Sequence, residues 1–135
     1  MGEKKSEKQK AVGVIIRALD TQKILLVKRS NAHHKFVGQW SIPAGQMEIG
    51  ENDIETLKRE TFEETKIKNL ENIEYLVSLV NNKSGEEFRI YKADIQNEIN
   101  PELDFEHTDF NWYTPGDLLP EPMSKHMYRI LQQQT

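Results

Sequence analysis

Six residues stand in one register that leaves little choice of local structure: Gly45, Glu51, Arg59, Glu60, Glu63 and Glu64. The stretch carrying the last four reads as a helix. Asn52 is a favourable N-cap, Glu55 completes a reciprocal capping box, and Asp53 adds negative charge to the first turn, so a helix is predicted from Asp53 to Thr65. On a helix that turns about 100° per residue, Glu60, Glu63 and Glu64 fall within an arc of roughly 100°. Leu57, Thr61 and Ile54 lie beside them as the face expected to pack on a sheet, which puts the carboxylates along the edge of that face. Three like charges so close repel one another, nothing on the arc neutralises them, and a divalent cation is their natural partner. A run of glutamates alone reads as the wet face of a helix, because Glu is common and helix-favouring. The matching Gly45, Glu51 and Arg59 set this run apart.

Written out, GQMEIGENDIETLKRETFEETKI resembles the Nudix box, G-x5-E-x7-R-E-U-x-E-E-x-G-U with U apolar. Thr61 departs from it where an apolar residue is usual, and Lys66 where the second Gly is usual. That Gly suits a left-handed residue just past the helix end, so a Lys there costs about 1 kcal/mol or moves the helix end by a residue. The resemblance implies a single-domain α/β fold of the Nudix type, an α/β/α sandwich with a mixed β-sheet. It also implies Mg²⁺, with Mn²⁺ as a substitute, and hydrolysis of a nucleoside diphosphate linked to another moiety by in-line attack of water on phosphorus. Carried over by position, Gly45 shapes the loop and offers a carbonyl, Glu51 and Arg59 orient one another, and Glu60, Glu63 and Glu64 ligate metal. One of these carboxylates also activates the water. A further acidic ligand ahead of a late tryptophan is common in the family, which points to Glu106 first and Asp109 second, before Trp112.

Other residues are candidates on their own chemistry. Lys28 and Arg29, at a strand end ahead of a loop, have the charge to clamp phosphate, although an exposed strand end is an equally good reading. Phe36 and Trp40 have faces on which a base can stack, with a core role an equal alternative for Trp40. His33, His34, His107 and His126 have no metal-ligand spacing and read as loop or surface histidines.

With 135 residues the chain has room for one domain, taken as 11–135 after a polar, disordered tail over 1–10. The tail matches an acylation pattern, M-G-x-x-x-[ST], but reads first as a solvated segment. No cysteine is present, so any metal is held by oxygen or imidazole. A net charge of −4 argues against binding a nucleic-acid duplex and leaves a small nucleotide as the expected partner. No apolar run approaches the roughly 18 residues of a membrane span, which predicts a soluble cytoplasmic protein, monomer or homodimer.

Strands are expected at Ala11 to Ala18 and Ile24 to Val27 as a hairpin, at Trp40 to Pro43, at Ile73 to Val80 and Glu87 to Ile95 as a second hairpin, and at Asn111 to Thr114. Ser30 to Gly38 reads as a loop and Pro115 to Leu119 as a turn. A last helix runs from Ser124 to Gln132, carrying Met127, Ile130 and Leu131 inward.

Three functions compete. The first is a MutT-like pyrophosphohydrolase that converts a (d)NTP to monophosphate and pyrophosphate, with ADP-ribose, a nucleotide sugar or a dinucleotide as the alternative substrates. The second is a Nudix-like module that senses a nucleotide without cleaving it, which would be expected to lose box carboxylates that are all present here. The third, a diphosphate isomerase, would want cysteine chemistry that this chain lacks. The triphosphate is favoured because Ile67 to Ser84 contains no Pro, and its only Tyr, Tyr75, lies nearer the box than the subclass signatures for ADP-ribose and dinucleoside polyphosphates would place it.

Overall fold

The computed structural model describes residues 9–33 and 35–134. The expectations placed on residues 1–8, namely the tail and its acylation pattern, and on His34 lie outside them. Lys10, counted with the tail, opens the first strand.

Strand β1 (Lys10–Ala18) is an almost unbroken apolar run, as a strand covered on both faces must be. It lies parallel to β6 (Glu87–Ile95), in register from Lys10 opposite Glu87 to Ala18 opposite Ile95. β5 (Glu71–Val80) is antiparallel to β6 and forms one edge. On its other side β1 meets β2 (Ile24–Arg29) at the hairpin and β4 (Ala44–Gln46) along its first half. β2 also pairs with β3 (Trp40–Ser41) and β7 (His107–Tyr113), so the sheet is mixed and seven-stranded.

Alternation along β1 divides the core. Val12, Val14, Ile16 and Ala18 join Leu25, Leu57, Ile67, Ala93 and Ile95 beneath α1 (Asp53–Thr65). Ile15 joins Ile24, Leu26, Ile42 and Ile90 on the opposite face, covered by Met127, Ile130 and Leu131 of α2 (Lys125–Gln132). The sheet is therefore sandwiched between helices, the α/β/α arrangement expected. Burying one such Leu or Ile contributes about 2 kcal/mol. No helix of the described residues is long and apolar enough to cross a membrane.

Both helices begin as their caps require. Asn52 Oδ1 accepts from the Glu55 N–H at 2.8 Å while Glu55 Oε1 accepts from the Asn52 N–H at 2.9 Å. Ser124 Oγ accepts from the Met127 N–H. α1 ends where expected, and Lys66 takes the left-handed conformation, φ 65° and ψ 13°, without moving the helix end. Asp53 pins the front of the helix to β6: Arg89 Nη1 donates to both its oxygens at 2.8 and 3.0 Å, and the Tyr91 hydroxyl donates to Oδ2 at 2.6 Å.

Two strand expectations need correction. The strand expected from Trp40 to Pro43 stops at Ser41, and after Ile42 the chain moves from β2 to β1 as β4: proline lacks only a donor, so the Pro43 carbonyl accepts from the Val14 N–H at 3.0 Å and leads the ladder into Ala44–Gln46. β7 begins at His107, four residues before the expected Asn111, across a register shift opposite Lys28 and Arg29.

Candidate metal and phosphate site

β4 brings the backbone of Gly45 against the last turns of α1. A Cβ built on Gly45 would collide with the Glu60 carboxylate, so the absent side chain is the space in which that carboxylate lies. Glu64 is buried to 1% exposure; its Oε1 accepts from the Ala44 N–H at 3.2 Å and its Oε2 has no hydrogen-bond partner. Burial pushes the Glu64 carboxyl well above the ordinary range, with Glu60 and then Asp104 reinforcing the shift. Burial also raises Glu60, against the opposing pull of Glu64 and Arg59. A buried carboxyl with an unpartnered oxygen beside a second raised carboxyl is an uncompensated arrangement that a cation would relieve.

Arg59 organises the loop ahead of the helix. Its Nε donates to Glu51 Oε2 at 2.6 Å and its Nη2 donates to Glu51 Oε1 and the Gln46 carbonyl, both at 3.0 Å. Glu51 also accepts from the Glu48 N–H and the Thr56 hydroxyl. The Arg59 hydrogen bond, then that of the Glu48 N–H, holds the Glu51 carboxyl down to about 2, and Glu51 in turn raises Arg59 further above its usual range.

The expectation that nothing neutralises the helix carboxylates is corrected here. Arg59 Nη1 donates to Glu60 Oε2 at 3.0 Å and to Glu63 Oε1 at 3.3 Å. Nor do the three share one environment, since Glu64 is buried, Glu60 half-buried, and Glu63 turned out to solvent with its side chain 54% exposed. Among the described residues, no three acidic or imidazole groups already converge as a metal cage. What fits a cation is the Glu60 and Glu64 pair with its unpartnered oxygen.

The basic and aromatic candidates separate. Arg29 Nε donates to the Lys35 carbonyl at 3.2 Å and its guanidinium lies 6.0 Å from the Phe36 ring centroid, while burial lowers its pKa against the opposing charges of Glu106 and Glu64. The Lys28 ammonium sits 6.0 Å above the Trp40 ring. Trp40 packs half-buried on the α2-side core beside Met123, whereas Phe36, 59% exposed, lines a cavity of about 400 Å³ with Phe88, Gln46 and His126. Phe36 and Trp40 thus do not share one wall. Glu106 is half-buried and its backbone is tied on both sides, its N–H donating to Asp104 and its carbonyl accepting from Ser30. Asp109 is exposed and accepts from the N–H of its own neighbour Phe110.

Two residues of the cluster were not among the candidates. Asp104 lies close enough to raise the Glu64 pKa, and His107, read from the sequence as a surface histidine, is only 8% exposed, with Nδ1 3.1 Å from Asp104 Oδ1 and Nε2 3.9 Å from Glu64 Oε1. Extending β7 back to His107 by strict alternation would have put it on the face of the exposed Asp109, so strand periodicity does not flag it.

An acidic helix edge folded against a glycine-backed loop lies beneath a mixed sheet sandwiched by helices, and comparison with known proteins gives the family and the fold. The model of the family described as the NUDIX domain matches residues 7–134, and the chain belongs to the Nudix family. Nudix hydrolase 6 of Arabidopsis thaliana is 33% identical over 84 residues, which are 62% of this chain and 28% of the relative. The match thus spans little more than a quarter of that relative's length. Among solved structures, the MutT protein of Methanosarcina mazei aligns with a TM-score of 0.73 and 22% identity over 96% of this chain and 94% of its own. The NUDIX domain of Shewanella oneidensis NrtR, solved with ADP ribose, aligns with a TM-score of 0.77 and 22% identity over 95% and 86%.

Proposed function

We propose that the chain is a divalent-metal-dependent pyrophosphohydrolase of nucleoside diphosphate derivatives, with a nucleoside triphosphate as its substrate and monophosphate plus pyrophosphate as its products. The observation that carries this reading is the buried Glu64 with its unpartnered Oε2 beside Glu60, both carboxyls raised. Glu60 and Glu64 would hold the cation, with Glu63, Glu106 and the Gly45 carbonyl as further oxygen donors. When bound, Mg²⁺ lowers the pKa of water and offsets charge on phosphate oxygens.

The chain's own residues supply the rest. Arg59, locked to Glu51 and Gln46, holds the loop so that Gly45 keeps its backbone against Glu60. Arg29, whose charge is felt by Glu106 and Glu64, is the basic residue we assign to a substrate phosphate. Water attacks phosphorus in line, the bond to the bridging oxygen breaks, pyrophosphate leaves, and a helix carboxylate accepts the proton from water.

A panel of nucleoside triphosphates, ADP-ribose, nucleotide sugars and dinucleoside polyphosphates with Mg²⁺ tests the assignment. Pyrophosphate release from a triphosphate, with ¹⁸O from labelled water found in the monophosphate, is the expected result. Activity on ADP-ribose alone moves the substrate to the alternative class. No turnover of any compound, with binding retained, would favour a nucleotide-sensing module.

A further inference from the structure

Only one oxygen of the Glu64 carboxyl meets a backbone donor and an imidazole, and its other neighbour is the Glu60 carboxyl. The Ala44 N–H donates to Oε1 at 3.2 Å, His107 Nε2 faces the same oxygen from 3.9 Å, and Oε2 meets neither. The imidazole is itself fixed, because Asp104 Oδ1 lies 3.1 Å from Nδ1. Asp104 is placed by the helix: its N–H donates to the Glu64 carbonyl at 3.3 Å, and the Glu102 N–H donates to the Thr65 carbonyl at 3.0 Å. These carbonyls belong to the last turn of α1, which has no helical donors left. The segment that closes the helix end therefore also carries an imidazole to the last glutamate of the acidic cluster.

We propose that His107, oriented by Asp104, is the positioning residue that decides which oxygen of Glu64 is offered to a divalent cation. Oε1 is reserved for Ala44 and His107, and Oε2 is left for the metal. This rests on the reading that Glu64 holds the cation. The His107 to Glu64 separation is about 1 Å beyond a good N–H···O distance, a gap that a small rotation of the carboxyl toward the ring would close. Groups that fix a ligand in this way typically alter metal affinity by about 10- to 100-fold.

Two substitutions separate the halves of the ring. In His107→Asn the amide nitrogen reproduces the reach of Nδ1 toward Asp104 but stops short of Glu64, whereas in His107→Gln it reproduces the reach of Nε2. Mn²⁺ binding to the full chain without substrate, followed by calorimetry, is expected to weaken at least about tenfold in His107→Asn and to stay within about threefold of wild type in His107→Gln. A ring that only supports the loop through Asp104 gives the reverse order. Wild-type affinity in the Asn variant, or equal losses in both, overturns the positioning role. If either variant fails to fold, Asp104→Ala frees the ring while keeping the imidazole: binding weakened about tenfold supports the proposal, and unchanged binding overturns it. Wild-type protein that binds no Mn²⁺ overturns the metal reading as well, so the two failures are distinguishable.

Discussion

Gly45→Ala separates the site from the fold. The added Cβ would overlap the Glu60 carboxylate, the far end of a flexible side chain, so Glu60 has to swing away while the backbone stays. Leaving its rotamer costs about 0.5–1.5 kcal/mol, and loss of the Arg59 contact, whose partners keep 22% and 15% of their side chains exposed, adds up to about 1 kcal/mol. Against this, Ala restricts the unfolded chain and returns about 0.4–1 kcal/mol. Gly45 has no positive φ to oppose the change. The net loss of stability is then within about 2 kcal/mol, or roughly 7 °C in melting temperature for a domain of this size. Metal binding faces no such compensation, because one of its two best-placed carboxylates has moved, and a loss of about 10- to 100-fold follows. Melting curves in EDTA and Mn²⁺ calorimetry on the same samples decide the matter. A melting temperature more than about 10 °C lower, which signals backbone rearrangement, or Mn²⁺ affinity unchanged from wild type, would refute the reasoning.

Further outcomes follow from other contacts. Lys66→Gly removes a left-handed non-glycine residue worth about 1 kcal/mol but also the ammonium 5.1 Å from the Phe62 ring centroid, so urea unfolding should show a gain of about 0.5 kcal/mol; a loss would mean that the Phe62 contact dominates. Glu64→Gln replaces a buried carboxyl by a neutral group of its size, so the variant should melt at least as high as wild type in EDTA, lose the stabilisation that millimolar Mg²⁺ gives wild type, and fall in turnover by orders of magnitude; full turnover would leave Glu64 without a role. Burial opposes ionisation of Asp53, yet Tyr91 and Arg89 outweigh it and hold its pKa below the usual value. The stabilisation is therefore present above the unfolded Asp pKa and is lost as pH falls through the folded value, so the stability advantage of wild type over Asp53→Asn should vanish in acid; an advantage that persists at low pH would refute this. In the same variant the Tyr91 hydroxyl, pushed up to about 12 by burial and then by Asp53, should titrate closer to 10, as ultraviolet absorbance would reveal.

Local rules carried the sequence reading wherever a single segment decides its own structure. The span of α1 follows from Asn52, Glu55 and Lys66, all within reach of the helix itself: the first two adopt the cap their chemistry favours, and Lys66 takes the left-handed turn at a cost. The pairing of Glu51 with Arg59 also lies within one loop and helix, and the family resemblance implies it. The reading weakens where partners come from distant segments. Helix geometry puts Glu60, Glu63 and Glu64 on one arc but does not say that β4 covers Glu64, that Gly45 houses Glu60, or that Arg59 bonds both Glu60 and Glu63.

His107 illustrates the limit most clearly. A strict period of two puts His107 and Asp109 on the same face of β7, yet the structure buries the first and exposes the second. The ladder explains the discrepancy: Asp109 pairs with Lys28, His107 pairs with Arg29, and Thr108 falls in the bulge between them. An extra residue in one strand re-aims the side chains beyond it. Here it turns the imidazole inward, where Asp104 can orient it toward Glu64. No pattern within residues 107–113 discloses such a shift, because it depends on how β2 and β7 meet and on the backbone bonds that tie 102–104 to the end of α1. The most informative positions of the site are thus those at which strand periodicity breaks.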